Sequence, residues 1–326
     1  DCDEKCYNKS IVIQSQKSLC VLESQRTKNM EEIMYEITKV EHLVDKDWLM
    51  VIKAPFVAKK CEPGQFMIAK LGELGERIPF TIADYDREAE TITIVFQVVG
   101  ASTEKMSHLK AGDSFTDIVG PLGRPSEMID TPIEELKKES FIFIAGGVGA
   151  APVYPQVKWL HEHGIEADVI LGARNKDLLI MEEDLRKVAA NVYVCTDDGS
   201  YGEKGVVTDI LKKLVNEDGK KYTKCIAIGP VIMMKFACLT TKDLGIPTIV
   251  SMNPIMIDGT GMCGACRLIV GDKVKFACVD GPEFDGHLVD FDLAMKRQRQ
   301  YKDEDGRAML ALQEGATHSG GCEADK

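Results

Sequence analysis

The apolar and polar positions in the first part of the chain follow a strand-like rhythm. From Glu31 to about Pro125, short segments rich in β-branched residues are separated by turn signals such as EPG, LGE and AGD. The strand-like segments are YEITKVEHL, WLMVIKAP, GQFMIAKL, TITIVFQVV and SFTDIVGP. Regular spacing with little helical periodicity predicts a small antiparallel barrel or sandwich.

The rhythm changes after Pro132. Near-continuous apolar runs begin there, namely FIFIAG, ADVILGA, VYVCTD, CIAIG and TIVSM. Helix-like stretches lie between them: VYPQVKWLHEHG, LLIMEEDLRKVA and VVTDILKKLVNE. Continuous hydrophobic strands alternating with amphipathic helices predict a doubly wound α/β domain, whose parallel sheet is covered on both faces.

The remaining segments are shorter. CRLIV and KVKFACV are two short strand-like runs joined at Gly271-Asp272, which predicts a hairpin. The last forty residues are polar and helix-compatible around YKDEDGRAMLALQEG. Residues 1–29 are polar, and we expect them to form a disordered extension.

Charge and composition exclude two classes of function. The net charge is −12 and no block of lysine or arginine is present, which argues against nucleic-acid binding. No apolar run approaches the roughly 20 residues that span a bilayer. The first residues, DCDEKCYNKS, lack the basic and apolar regions of a secretory signal, so we expect a cytoplasmic protein without a membrane partner.

The chain contains 11 cysteines, and they fall into two groups. Cys61, Cys195, Cys225 and Cys238 lie in or beside apolar runs and are expected to be small buried hydrophobic residues. Closely spaced cysteines in a reducing compartment indicate metal or redox chemistry instead.

Three short segments of the predicted barrel carry features that suit a phosphate-bearing ligand. They are ERIPFTIAD, QVVGAST and GPLG, which contain Arg77, Pro79, Phe80 and Thr81, then Gly100, Ser102 and Thr103, then Gly120. A glycine followed by hydroxyls allows backbone and side-chain contact with a phosphate. Each segment alone is equally consistent with ordinary strand and turn sequence, but the three occur in order on one barrel.

The segment FIFIAGGVGAAPVYPQV gives a stronger signal. A buried strand runs into Gly146, Gly147 and Gly149, and Pro152 opens a helix. Glycines let a dinucleotide phosphate approach the backbone, and a helix N-terminus presents free N–H groups. The spacing is G-G-x-G and not G-x-G-x-x-G, so a simple tight strand–helix turn stays open as the alternative.

Other strand ends support a nucleotide site at the same edge. Asp197 and Asp198 follow the third strand in CTDDGSYGEKG, and Gly229 follows the fourth in GPVIMM. Ligands of open α/β sheets bind at the carboxyl ends of strands. Arg174, after the second strand, is either a contact for an adenosine ribose or 2′-phosphate or a solvated surface charge.

The C-terminal cysteines have the spacing D-x4-C-x2-C-x11-C, from Asp258 through Cys263 and Cys266 to Cys278. Zinc is one interpretation, but zinc knuckles usually add a second C-x2-C or a histidine pair, which this segment lacks. The layout follows plant-type [2Fe–2S] sites with aspartate at the first position. The iron–sulfur interpretation is therefore favoured over zinc.

Taken in order, the R-x-P-F-T barrel segment, the G-G-V-G-x-x-P sheet turn and the cysteine segment resemble the ferredoxin–NADP reductase superfamily. Within it, the chain is most similar to electron-transfer subunits that associate with a second flavoprotein. These are the dihydroorotate dehydrogenase type and the small subunit of electron-bifurcating NADH-dependent reduced ferredoxin:NADP oxidoreductase. The first type has cysteine at the position of Asp258 and the second has aspartate, so the resemblance favours the second.

The resemblance implies FAD, NAD(H) and a [2Fe–2S] cluster as cofactors of an oxidoreductase subunit. Arg77 would pair with the FAD pyrophosphate, Phe80 would flank the flavin and the Thr81 hydroxyl would lie near its N5. Gly100, Ser102 and Thr103 would complete the phosphate cradle. The glycine turn would underlie the nicotinamide nucleotide, lined by Asp197, Asp198 and Gly229. Asp258, Cys263, Cys266 and Cys278 would hold the cluster.

The resemblance also implies a domain order and a partner. The expected domains are an extension over 1–29, an FAD-binding β-barrel over 30–130, an NAD(P)-binding α/β domain over 131–250, a [2Fe–2S] segment over 251–285 and a tail over 286–326. The partner would be a larger flavo-iron–sulfur subunit in a heterodimer or larger assembly, through which ferredoxin is reached. NADH is expected to be preferred over NADPH because a single arginine follows the second strand.

Overall fold

The structure is a computed structural model, and it describes residues 35–313. The extension expected over residues 1–29 lies outside the described residues. The strands are β1 Tyr35–Val44, β2 Asp47–Lys53, β3 Phe66–Lys70, β4 Arg77–Thr81, β5 Asp84–Asp86, β6 Thr91–Gln97, β7 Ser114–Phe115, β8 Asp117–Leu122, β9 Phe141–Gly146, β10 Ala167–Ala173, β11 Asn191–Thr196, β12 Glu203–Lys204, β13 Lys224–Ile228, β14 Thr248–Ser251, β15 Arg267–Val270, β16 Lys273–Phe276 and β17 Glu283–Asp285.

The helices lie mostly between strands of the second half of the chain. They are α1 Pro55–Ala58, α2 Ala101–Ser107, α3 Glu127–Asp130, α4 Ile133–Leu136, α5 Ala150–Glu162, α6 Glu182–Val188, α7 Val207–Asn216, α8 Val231–Asp243, α9 Ala277–Asp280, α10 Phe291–Gln298 and α11 Lys302–Gln313. The last of these confirms the helix predicted around YKDEDGRAMLALQEG. Within residues 35–313, no helix is both long and apolar enough to cross a membrane.

The first strands form the predicted antiparallel barrel from two sheets. One sheet has the order β5-β6-β2-β1-β7 and the other has the order β4-β3-β8. Strands β2 and β6 pair with Met50 opposite Ile94 and Ile52 opposite Ile92. All four side chains are fully buried, because alternate residues of each strand point to the same face.

The second half forms a seven-stranded sheet of order β12-β11-β10-β9-β13-β14-β17. Pairing is parallel from β12 to β14, and β17 joins the edge antiparallel to β14. Ile142 and Ile144 of β9 pack on the side of α7 and α8, and Phe141 and Phe143 pack on the side of α5. The sheet is therefore buried on both faces, as the continuous apolar runs predict.

The cysteine segment packs against both preceding parts of the chain. β15 and β16 form the predicted hairpin, with Gly271 in its turn at a φ of 63°. Cys266, Cys278 and Phe284 belong to the same buried cluster as Phe66 of the barrel. The edge strand β17 lies within this segment, a pairing that the apolar pattern does not predict because the strand has three residues.

The scattered cysteines are buried, as expected for small hydrophobic residues. Cys61, Cys195, Cys225 and Cys238 are all free thiols in the core. Burial raises the pKa of Cys61 and of Cys195 to about 12, so neither is a thiolate near neutral pH.

Candidate functional site

A cleft of about 1040 Å³ runs between the barrel and the carboxyl edge of the parallel sheet. Many of the predicted ligand-binding residues line it, although they come from five separate segments of sequence. They are Pro79, Phe80, Thr81, Gly146, Gly147, Gly149, Arg174, Asp197 and Gly229. A cleft of this size, with an apolar wall and a few polar groups, is suited to a cofactor and a nucleotide.

The glycine turn after β9 shapes the floor of this cleft. A Cβ at Gly149 would collide with the carbonyl of Ile228, and a Cβ at Gly146 would collide with the Met233 sulfur. Gly147 has a φ of +54°, and no described atom lies within 4 Å of where its Cβ would be. The turn therefore needs glycine at Gly147 for its positive φ and at Gly149 for the close backbone approach, and it leaves free space above Gly147 for a dinucleotide phosphate.

The barrel wall of the cleft is formed by the end of β4. Phe80 is buried and lies edge-on to Phe96, with ring centroids 5.9 Å apart. Pro79 and Thr81 are half-buried and also face the cleft. An aromatic ring and a hydroxyl on one rigid strand fit the stacking and hydrogen bonding that a flavin ring requires.

Asp47 and its hydrogen-bond partner Gln97 add a buried carboxyl to the cleft. Asp47 is buried and accepts a hydrogen bond of 2.9 Å from the Gln97 amide. Burial raises the pKa of Asp47 above its ordinary value. Both residues line the cleft, and the sequence contained no local motif that marked them.

Two predicted acidic residues follow β11, and only one of them reaches the cleft. Asp197 lines the cleft and Asp198 does not. Asp198 instead accepts a hydrogen bond of 2.9 Å from the Ser200 backbone N–H, and the contacts with Ser200 lower the pKa of Asp198. Asp198 thus stabilises the turn that follows β11.

Arg77 lies outside the cleft lining and ties the barrel to the cysteine segment. Its Nε donates to the Ile257 carbonyl at 3.0 Å and its Nη2 to the Asp258 carbonyl at 3.4 Å. Nη1 also lies 3.7 Å from the Asp117 carboxylate. One half-buried guanidinium therefore joins β4, β8 and the loop that carries the predicted first cluster ligand.

Gly100, Ser102 and Thr103 lie at the start of α2, Gly120 lies on β8, and none of the four lines the cleft. Ser102 donates to the Glu76 carboxylate. Thr103 Oγ1 accepts hydrogen bonds from the backbone N–H groups of Val99 and Gly100 at 3.0 and 3.1 Å. Gly120 packs against Met67, whose Cβ would be 2.9 Å from a Cβ at that position.

The four predicted cluster ligands form two pairs. The Cys263 thiol lies 3.2 Å from Asp258 Oδ1, and the Cys266 and Cys278 sulfurs are 3.2 Å apart. Cys263 is exposed, whereas Cys266 and Cys278 are buried. Within residues 35–313, no group of three or more Cys, His, Asp or Glu side chains is arranged to hold a metal ion, so the pairs stand as separate half-sites.

The loop around Asp258 is rich in backbone donors. Asp258 accepts hydrogen bonds from the backbone N–H groups of Thr260, Met262 and Cys263 at 3.3, 3.0 and 3.1 Å. The Cys263 thiol is the largest of several contacts that lower the pKa of Asp258 to about 2. Two thiols and one ionised carboxylate on a glycine-rich loop, together with the Cys278 thiol on α9, fit an iron–sulfur cluster in donor chemistry.

Family models match both halves of this site. Residues 253–290 match the iron–sulfur cluster binding domain of dihydroorotate dehydrogenase B. Residues 143–239 match the oxidoreductase NAD-binding domain. The first match covers all four predicted cluster ligands and favours iron–sulfur over the zinc alternative.

Relatives extend the match over most of the chain. The chain is 47 % identical over 270 residues to the dihydroorotate dehydrogenase B (NAD(+)) electron transfer subunit homolog of Thermotoga maritima, which covers 83 % of this chain and 92 % of that protein. The chain belongs to the family of dihydroorotate dehydrogenase B electron transfer subunits. A Clostridium beijerinckii protein called "Uncharacterized protein in adh 3'region" is 64 % identical over 290 residues, covering 89 % of this chain and 98 % of the relative.

A solved structure supports the same family. A chain of the NADH-dependent reduced ferredoxin-NADP oxidoreductase structure, described for its insights into flavin-based electron bifurcation, matches with 43 % identity and a TM-score of 0.79. The match covers 86 % of this chain and 98 % of that chain. A ferredoxin NADP+ reductase from Neisseria gonorrhoeae, at 15 % identity and a TM-score of 0.52, shows the shared fold alone.

For this electron transfer subunit family, the comparisons confirm the predicted fold and the cofactor classes. The fold is a flavin-binding barrel followed by a nucleotide-binding sheet and a C-terminal iron–sulfur domain. FAD, NAD(H) and an iron–sulfur cluster are the cofactor classes, and the chain is an oxidoreductase subunit. The resemblance that the sequence motifs indicate is thereby confirmed.

Proposed function

We propose that the chain is the electron-transfer subunit of an electron-bifurcating NADH-dependent ferredoxin:NADP oxidoreductase. Electrons pass between NAD(H), FAD and a [2Fe–2S] cluster, and then to a larger flavo-iron–sulfur subunit. The observation that carries this proposal is that Asp258, which is paired with Cys263, belongs to the predicted ligand set with Cys266 and Cys278. An aspartate in this ligand set distinguishes the bifurcating type from the dihydroorotate type within the resemblance, and the 43 % identical structure supports it.

The barrel end of the cleft is the proposed flavin site. Phe80 would flank the flavin ring at the barrel wall, and the Thr81 hydroxyl would lie near its N5. Arg77, which lies outside the cleft lining, and the segment from Gly100 to Thr103 would hold the pyrophosphate end. Bound FAD supplies the chemistry that accepts a hydride and releases single electrons, which the cluster carries one at a time.

The glycine turn is the proposed nucleotide site. Gly147 and Gly149 let the nicotinamide dinucleotide approach the backbone, and the first turn of α5 faces its phosphates. Arg174 and Asp197 contact the nucleotide at the ends of β10 and β11. These residues orient the nicotinamide toward Thr81 and exclude water from the cleft, and hydride transfer needs no acid–base residue of the chain.

The cluster ligands are proposed to be Asp258, Cys263, Cys266 and Cys278. The Arg77 contacts with the Ile257 and Asp258 carbonyls attach this ligand loop to the flavin strand β4. Electron transfer between the flavin and the cluster requires a fixed separation, and this link through Arg77 would maintain it. The chain's net charge of −12 makes it a poor dock for an acidic ferredoxin, so ferredoxin is reached through the partner subunit.

A dihydroorotate dehydrogenase-type electron-transfer subunit is the second candidate. The family model over residues 253–290 and the name of the Thermotoga maritima relative favour it. Asp258 argues against it, because the dihydroorotate type has cysteine at this position.

Anaerobic purification from the native host, with identification of the second polypeptide, separates the two candidates. The proposal predicts a larger flavo-iron–sulfur subunit and NADH-dependent reduction of NADP+ that requires reduced ferredoxin. A dihydroorotate dehydrogenase as the co-purifying polypeptide, with NAD+ reduction by dihydroorotate, contradicts the proposal and supports the second candidate.

A further inference from the structure

One buried and one half-buried polar side chain meet at the wall of the cleft, and neither was marked by a sequence motif. Gln156 lies on α5, is fully buried and lines the cleft. Glu283 lies on β17 in the iron–sulfur segment and lines a second cleft of about 860 Å³. The Gln156 Nε2 donates to Glu283 Oε1 at 2.7 Å, so the pair joins the nucleotide-binding helix to the iron–sulfur segment.

Each member of the pair has one buried oxygen without a partner. Glu283 Oε2 and Gln156 Oε1 are both buried and accept no hydrogen bond. A buried acceptor without a donor is costly, and two in one contact pair call for a shared explanation. Gly64 closes the site from the barrel side, because a Cβ there would lie 3.2 Å from Glu283 Oε1.

We propose that Glu283 is a neutral carboxylic acid whose Oε2–H donates to Gln156 Oε1, which closes a cyclic acid–amide pair. One proton then satisfies both unpartnered oxygens. The positions of the oxygen and nitrogen of the Gln156 amide could be swapped. A carboxyl proton would still be needed, because Glu283 Oε1 would then have to donate a hydrogen bond to the amide oxygen. The pair makes Glu283 a positioning residue that fixes the Gln156 amide in the cleft.

The surroundings of Glu283 extend the range of its neutral form up to about neutral pH. Burial raises the pKa of Glu283 to about 7, although side-chain hydrogen bonds from Ser126 and Gln156 to the carboxyl lower it. Glu127 raises the pKa and Lys224 lowers it, and these two residues form an ion pair with each other. The other charged or titratable residues around the second cleft are Arg124, Asp130, Lys242, Asp280, Asp285 and His287.

Loss of the proton would disturb the nucleotide side of the cleft. The second cleft gives the proton a route to solvent, and ionised Glu283 would then present Oε2 to Gln156 Oε1 with no hydrogen between them. The Gln156 amide must shift to relieve this contact, and it lies on the helix that begins at the glycine turn. This consequence for NADH binding rests on the proposed function, whereas the acid–amide pair does not.

Infrared difference spectroscopy of the holoprotein tests the pair directly. Spectra are compared from about pH 5.5 to about pH 9, a range chosen to bracket a carboxyl pKa raised from its ordinary value. Glu283→Gln keeps the side-chain shape and removes the acid, and Glu134→Gln removes a carboxylate that is 81 % exposed. Any signal from the buried carboxyl of Asp47 is common to all three proteins and cancels.

The wild type and Glu134→Gln are expected to lose a carboxylic acid C=O band as the pH rises, and Glu283→Gln is expected to lack that change. Identical difference spectra for the wild type and Glu283→Gln overturn the proposal. A protein that shows the titrating band but does not react with NADH contradicts the proposed function and leaves the acid–amide pair intact.

Thermal unfolding gives a second readout. A carboxyl whose pKa is raised in the folded state stabilises the protein relative to its ionised form at low pH, and this stabilisation is lost as the pH rises through the folded pKa. The melting temperature of the wild type should therefore fall relative to Glu283→Gln between about pH 4.5 and about pH 7, and the difference should be constant above that range. A difference that is constant across the whole range contradicts the proposal.

In the NADH-reactive holoprotein, the KM for NADH should rise as the pH passes through neutrality in the wild type and not in Glu283→Gln. A purely structural role for Glu283 would lower stability without separating the two pH profiles. Parallel KM profiles in the two proteins would therefore contradict the positioning role.

Discussion

At the residue scale, the glycine turn gives a sharp test because Gly149 has no room for a side chain. A Cβ there would collide with the Ile228 carbonyl, which is backbone and cannot rotate away. Gly149→Ala should lower the free energy of unfolding by about 1–3 kcal/mol, the usual cost of overpacking, and weaken NADH binding. Denaturant unfolding and NADH titration measure both effects.

Gly306→Ala is the matched control for that substitution. Gly306 lies in α11 and no described atom is within 4 Å of its Cβ position. Alanine there should be neutral or stabilising by up to about 1 kcal/mol, because it is the better helix former. Equal destabilisation by both substitutions would contradict the steric account of the turn.

A second residue-scale prediction concerns Asp258. If its carboxylate is a cluster ligand, Asp258→Ala should change the cluster's visible and paramagnetic resonance spectra and lower the iron content, whereas Asp258→Cys should keep iron with a shifted potential. Asp272→Ala in the hairpin turn is the control, since that acidic side chain is exposed and is not one of the predicted ligands. An unchanged spectrum and potential in Asp258→Ala would rule out the assignment.

At the scale of elements, Arg77 links strand β4 to the loop that carries Asp258. Arg77→Gln removes charge-assisted contacts to the Ile257 and Asp258 carbonyls, so residues 253–266 should open more easily by about 1 kcal/mol. This corresponds to roughly fivefold faster amide hydrogen exchange in that segment. Mass spectrometry of exchanged peptides measures it.

Arg87→Gln provides the control at this scale. Arg87 also donates to a carbonyl, that of Cys61 at 3.1 Å, and to the Glu62 carboxylate at 2.8 Å, but it does so within the barrel. Its loss should leave exchange in residues 253–266 unchanged. Faster exchange there in both variants would show that the link is not specific to Arg77.

Element boundaries show what the sequence could and could not predict. β10 spans the predicted run ADVILGA, because a strand buried on both faces needs unbroken apolar residues. β5 and β17 have three residues each, too few for a recognisable apolar pattern, and β17 becomes a strand only by pairing with the distant β14. The glycine turn was predictable from its spacing, whereas Gln156 and Glu283 meet only through tertiary packing.

At the scale of the whole molecule, the charges that line the cleft determine whether NADH or NADPH is preferred. Arg174 is the cation lining the cleft within the described residues, and nearby Lys176 lies over the Tyr201 ring at 5.5 Å. A single cation attracts the 2′-phosphate of NADPH only weakly. NADH should therefore reduce the protein with a higher kcat/KM than NADPH. Arg174→Ala should lower the NADPH value more than the NADH value, and equal or better reduction of the wild type by NADPH would contradict the preference.

The central claim is that this one chain carries a flavin and an iron–sulfur cluster that communicate with NADH. The most direct measurement is the visible spectrum of anaerobically purified protein before and after NADH, together with its iron, sulfide and FAD content. The account predicts flavin and [2Fe–2S] absorption, iron and sulfide in equal amounts, and bleaching of the flavin bands by NADH. A colourless protein without iron or flavin would contradict it.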